Sequence, residues 1–212
     1  MSQCYHGAGG GPQGPTARGA LASLECTFSV RKMKDWNVIV TANDSCGYRH
    51  ARQRLKQFGT VEATEFHNVL VMQVPDVGAL LAALGEMVRD NMSLFNDISR
   101  LIPVQVAFDF ETREEFETKA LSAILGWAER MAGETFHIRF HRRGLGDQLR
   151  SLSEEKLLDT ALLDRLAEIG RPGRIDFADP DHVIDIETVG NRAGLSIWGR
   201  EDLARYPFVR VD

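Results

Sequence analysis

Apolar positions change period along the chain, and the changes mark out the elements. Trp36 to Ala42 is a β-branched run and predicts a strand. Tyr48 to Phe58 reads as a helix stopped by Gly59. Val61 to Phe66 and Asn68 to Val74 read as two strands joined by a short turn around His67. Asp76 is placed to cap a helix over Val77 to Arg89, where apolar residues recur at helical spacing. Together these give β-α-β-β-α, most of a ferredoxin-like unit.

A second unit follows. Leu101 to Phe110 alternates as a strand, with Pro103 restricting it to a strand start or an edge. Thr112, with Glu115 three residues on, starts a helix predicted to run to Met131, and Gly133 ends it. Thr135 to Arg142 predicts a strand, and Lys156 to Ile169 a helix ended by Gly170 and Pro172. Ile175–Phe177, His182–Val189 and Gly194–Trp198 read as three short strands. The expected fold class is α/β of the α+β kind. The expected division is a Gly/Pro-rich tail over 1–34, an N-terminal ferredoxin-like domain over 35–92, a second α/β domain over 93–202, and a C-terminal tail over 203–212.

The first residues differ in composition from the rest. Gly7 to Gly19 is too poor in apolar side chains to order itself. Gly9 to Gly14 matches GxGxxG literally, but no strand precedes it, and Pro12 and Pro15 interrupt any helix after it, so a nucleotide loop is not read there. Met33 stands just before the first clear strand and is an expected start for the working protein.

Composition narrows the class. The 212 residues are 43% hydrophobic and 26% charged, ordinary for a globular chain. No apolar run reaches the ~18 residues of a membrane span, and no basic start leads into an apolar core as in a secretory signal. Cys4, Cys26 and Cys46 form no CxxC, which points away from a disulfide framework and toward a reducing cytoplasm. The net charge is −5, so any nucleic-acid contact must be local.

One segment provides such a patch. In the strand from Thr135, residues Phe136, Ile138 and Phe140 alternate with His137, Arg139 and His141, and the second set is expected to point outward. Arg142 and Arg143 follow, also expected in solvent. From His137 to Arg150 there are four arginines and one acid, Asp147. Arginine suits bidentate phosphate contact; pairing with helix carboxylates such as Glu114 or Glu117 is the ordinary alternative. A second basic face is expected at Arg49, Arg52 and Lys56, three and four residues apart on a helix.

Catalytic readings are weaker. Asp181, Asp185 and Glu187 form an acidic stretch with a faint metal-nuclease pattern, but Thr188 and Val189 stand where a lysine would assist. Asp185 and Glu187 alternate with Ile184 and Ile186, as on an edge strand with a solvated outer face. His137 and His141 would lie about 13 Å apart along a strand, too far to share a metal. No HExxH, GxSxG or P-loop occurs.

The strand Thr135-Phe136-His137-Ile138-Arg139-Phe140-His141-Arg142-Arg143-Gly144 resembles the signature strand of THUMP domains. These occur in tRNA thiouridine synthases, RNA methylases and pseudouridine synthases. The segment from Ile175 through Asp179-Pro180-Asp181 to Glu187 resembles the family's strand–NPD–strand element, with Asp179 where Asn is usual. The likeness runs from about Trp36 to Trp198. It implies a tRNA-binding function centred on the acceptor region, through Arg139, His141, Arg142, Arg143, Arg150, Arg100, Arg49, Arg52 and Lys56. Within the family, Ser99 to Val104 resembles the Arg-x-x-Pro segment of stand-alone adaptors for tRNA cytidine acetylation, and Glu201 to Phe208 is similar to their C-terminal segment. That likeness implies a non-enzymatic adaptor, without cofactor or metal, presenting tRNA to a separate acetyltransferase. The other expectations carried forward are a metal-dependent RNA-processing enzyme at Asp181, Asp185 and Glu187, and a protein-interaction module without RNA binding.

Overall fold

The computed structural model describes residues 33–144 and 149–211. Cys4, Cys26 and the Gly-rich stretch lie outside them, as does Asp147. Val38–Ala42 forms β1, whose Val38, Val40 and Ala42 are buried on one face and Ile39 on the other. Asp44 then caps helix α1, Ser45–Leu55, accepting from Cys46 N and Gly47 N at 2.8 and 2.7 Å. This cap starts the helix three residues before the periodicity does. Strands β2 (Thr60–Ala63) and β3 (Val69–Gln73) follow, with Asn68 in the left-handed region at φ 58° turning the chain between them. Asp76 caps α2, Val77–Asp90, as expected, through Ala79 N at 2.8 Å.

The short helix α3, Leu94–Asp97, leads into β4, Ile98–Pro103. β4 pairs antiparallel with β1 and completes a four-stranded sheet of order β2-β3-β1-β4, all neighbours antiparallel. The sequence merges this strand with the next into one, Leu101–Phe110. The chain instead breaks at Val104-Gln105, where Val104 N bonds Asn37 O, and passes to the second sheet. The expected division before residue 93 therefore falls inside the connection to the first sheet's own last strand.

The second sheet begins with β5, Val106–Asp109. Thr112 caps α4, Arg113–Leu125, which stops at Gly126; a separate 3-10 turn covers Ala128–Met131. Then come β6 (Thr135–His141), α5 (Ser151–Glu168), β7 (Arg174–Ile175), β8 (His182–Val189), β9 (Arg192–Gly199) and α6 (Arg200–Arg205). The order is β5-β9-β8-β6-β7, with β6 parallel to both β7 and β8. α4 and α5 cover one face, enclosing Phe136, Ile138, Phe140, Ile184, Ile186, Leu195 and Ile197. Phe116 stacks on Phe140 with centroids 5.2 Å apart.

The other face of this sheet meets the first sheet. A Cβ on Gly194 would lie 2.7 Å from the Trp36 ring and 2.6 Å from Val104, so the absent side chain at 194 is what lets the sheets approach. The expected C-terminal tail is no tail. Phe208, Val209 and Val211 are buried in the first core, and Leu101 N donates to Phe208 O at 2.9 Å, laying the segment along the open edge of β4.

Candidate nucleic-acid interface

The alternation expected in β6 is present. Phe136, Ile138 and Phe140 face the helices, and His137, Arg139 and His141 share the opposite face. What covers that face differs along the strand, so the three side chains meet three environments.

At its C-terminal end the face is closed by the first sheet. His141 is opposite Glu187 in the parallel register, and Arg139 opposite Asp185. β8 lies between β9 and β6, so the expected edge strand with a solvated face is instead an interior strand, and Asp185 and Glu187 are fully buried. Arg100, reaching across from β4, and Arg143, just past β6, both pair with Glu187. Arg143 also donates to Thr41 Oγ1 of β1 at 3.3 Å. Arg100 Nη1 lies 2.9 Å from His141 Nε2; a guanidinium can only donate, so Nε2 accepts. Burial lowers the Arg143 guanidinium to about 10, with Arg100 adding to the effect. Burial raises the Asp185 carboxyl to about 7, while Arg100 and Arg143 pull the other way. Arg100, His141 and Arg143, expected at the RNA surface, are thus turned inward on an ion-pair cluster between the sheets. Arg143 was expected in solvent.

The same cluster bears on the metal reading. Ligand atoms of His141, Asp185 and Glu187 lie within 4.8 Å of one another. Two arginines already neutralise Glu187, and a divalent cation there would face both guanidinium charges. Asp181, the third residue of the expected metal set, is elsewhere. Its Oδ2 accepts from Thr135 N at 3.0 Å and Thr135 Oγ1 at 2.7 Å, and these bonds hold its carboxyl down at about 2. The Asp181–Asp185–Glu187 site does not form.

Toward the start of β6 the face is open. Here a groove of about 290 Å³ runs between the strand and the C-terminal segment, lined by His137, Arg139, Phe177, Pro180, Val183 and Arg210 among others. Arg139 and Arg210 are exposed. Phe177 is 72% exposed, an unusual position for a large aromatic ring. Its ring meets His137 edge-on at 4.7 Å. Burial and the charge of Arg139 lower the His137 pKa, favouring a neutral ring. Sequence reasoning missed Phe177 and Arg210. The signal for Phe177 was an aromatic inside an otherwise acidic loop; Arg210 had none, because nothing local brings residue 210 to β6.

The remaining expected residues are on the surface. Arg142 and Arg150 are exposed, Arg150 preceding α5. Arg49, Arg52 and Lys56 are exposed, on and just after α1, while the neighbouring Arg54 pairs with Asp97 at 3.0 Å. Among the described residues, no helix is long and apolar enough to cross a membrane.

No protein-family description matches the sequence, and no curated protein does. Solved structures do resemble the fold. PH1313 from Pyrococcus horikoshii aligns over 76% of this chain and 54% of its own, at 14% identity and TM-score 0.49. A 4-thiouridine synthetase solved with RNA and ATP aligns over 77% and 42%, at 15% and 0.47. SMU.472, whose description is that of a methyltransferase and which was solved with SAH, aligns over 78% and 42%, at 15% and 0.43. The chain therefore spans about half or less of the length of these proteins. At such identity the likeness concerns the mixed α/β fold alone. The thiouridine synthetase is described as an enzyme and SMU.472 as a methyltransferase, which is at odds with the expected non-enzymatic adaptor, and that expectation is set aside.

Proposed function

We propose that this chain is the RNA-recognition part of a THUMP-type RNA-modifying enzyme, with tRNA as its substrate class. The observation that carries the reading is the groove beside β6, which is lined by two exposed arginines, Arg139 and Arg210, and by an exposed phenylalanine, Phe177. Arginine provides phosphate contact and the ring provides a stacking surface, the pairing by which proteins hold unpaired RNA. The groove is lined by the two segments that resemble the THUMP blocks, Thr135–Gly144 and Ile175–Glu187, together with the C-terminal segment that brings Arg210. The strand order β2-β3-β1-β4 around two crossover helices is the split β-α-β-β-α-β arrangement, which supports a ferredoxin-like unit beside them. Arg142 and Arg150 extend the basic surface, and Arg49, Arg52 and Lys56 offer a second one; Arg100, His141 and Arg143 are left to the interior cluster.

The test is a titration with bulk tRNA at several salt concentrations. Phe177→Ala is expected to weaken binding by about 1–3 kcal/mol through lost stacking, with the salt dependence intact. Arg139→Gln is expected to weaken binding and to flatten log K against log salt by about 0.7–0.9. If neither substitution changes affinity or slope, the groove is not the RNA surface and the reading falls.

A further inference from the structure

The loop between β7 and β8 presents Phe177 on a short span pinned at both sides. On one side Asp176 Oδ1 accepts from Ala178 N at 2.9 Å and Asp179 N at 3.1 Å, an Asx turn that fixes the backbone around the ring. On the other side stands Arg200, the first residue of α6. Its guanidinium donates to Asp179 Oδ1 at 2.5 Å, to Asp179 O at 3.1 Å and to Asp181 Oδ1 at 3.0 Å. Its backbone N donates to Asp181 O at 3.1 Å. Arg200 is not among the residues lining the groove. Its charge is directed at two carboxylates rather than at the place a phosphate would take.

We propose that Arg200 is a positioning residue for RNA binding, holding the Asp176–Asp181 loop so that Phe177 stands ready as a stacking platform; this rests on the groove reading above. A loop fixed in its bound form avoids the ordering cost that a free loop meets on binding.

Salt-dependent tRNA titration of variants tests this, with the thermal melt as a check on folding; Arg200 is half exposed, so its loss leaves the cores intact. Arg200→Gln is expected to weaken binding about threefold to tenfold with the salt slope unchanged. The charge-compensated Arg200→Gln/Asp179→Asn is expected to remain weakened. Phe177→Ala/Arg200→Gln is expected to bind no worse than Phe177→Ala alone, since a platform that is gone needs no positioning. Wild-type affinity for Arg200→Gln overturns the inference. So does a slope reduced by about 0.7–0.9, which would make Arg200 a phosphate ligand. Recovery in the compensated variant overturns it in favour of charge masking, and additive losses in the Phe177 double variant overturn it as well. Phe177→Ala and Arg139→Gln separate the two levels: if both bind normally the groove reading falls and takes this inference with it, whereas a defect in both beside a normal Arg200→Gln removes the inference alone.

Discussion

Asp185 is an ionisable group held away from water. It is fully buried, its oxygens accept no hydrogen bond among the described residues, and His141 Nε2 stands 3.5 Å away. Arg100 from β4, Arg143 after β6 and Glu187 on its own strand are also around it, with Arg139 opposite on β6 and Ser196 opposite on β9. Its pKa is raised from 3.8 to about 7. A carboxyl raised on folding binds more protons in the folded state, so its stabilising effect is fully present below about 4 and is lost as pH rises through about 7. Asp185→Asn is therefore expected to reduce the fall in stability between those limits, read by denaturant midpoints across the range; an unchanged pH profile would mean that the two arginines keep Asp185 ionised throughout. Glu187→Ala is the contrasting change. It leaves two buried guanidinium groups without their shared partner and is expected to cost about 3–5 kcal/mol, while Arg142→Ala, on the exposed surface, should stay within about 0.5 kcal/mol. The sequence told which residues of β6 share a face, because alternation is a local property. It did not tell what covers that face, and so it grouped Arg139, which meets water, with Arg100, His141 and Arg143, which meet Glu187 and Asp185.

Among the elements, those bounded by their own chemistry were legible. The Asp76 and Thr112 caps and the β6 alternation are found where local pattern places them. The elements that were misread are those whose partner is distant. β4 looks like the start of a longer strand until its pairing with β1 is known, and β8 looks like an edge strand until β6 and β9 flank it. The C-terminal segment is the clearest case. Glu201 to Arg205 is polar, and nothing nearby shows that Phe208, Val209 and Val211 fill the first core. Phe208→Ala is expected to cost about 3–5 kcal/mol, as for other buried aromatic residues, and to lower the thermal midpoint by several degrees. A surface-like change below about 0.5 kcal/mol would show that the segment is peripheral. Since Arg210 reaches the groove from this same segment, its docking links the stability of the first core to the shape of the proposed RNA surface.

At the scale of the molecule, the two sheets are joined by a contact with both apolar and ionic parts. Trp36, Ile39, Val69 and Val71 form the apolar part, with Val104 and Val189 against them. Arg100, Arg143 and Glu187 form the ionic part. The C-terminal segment crosses from one sheet to the other and adds a third tie. Such a connection predicts one cooperative unfolding unit rather than two, because neither sheet can lose its inner face without exposing the other's. Gly194→Ala probes this at the closest approach. The added methyl would lie 2.6 Å from Val104 and 2.7 Å from the Trp36 ring, closer than side chains come, so both must move. Overpacking of this kind costs about 1–3 kcal/mol. Urea unfolding followed by far-UV dichroism and by tryptophan emission should give coincident transitions in the wild type, and in Gly194→Ala both should shift to lower urea together. Two separated transitions, or a shift seen by tryptophan emission alone, would show that the sheets are independent and that the groove between β6 and the C-terminal segment opens freely.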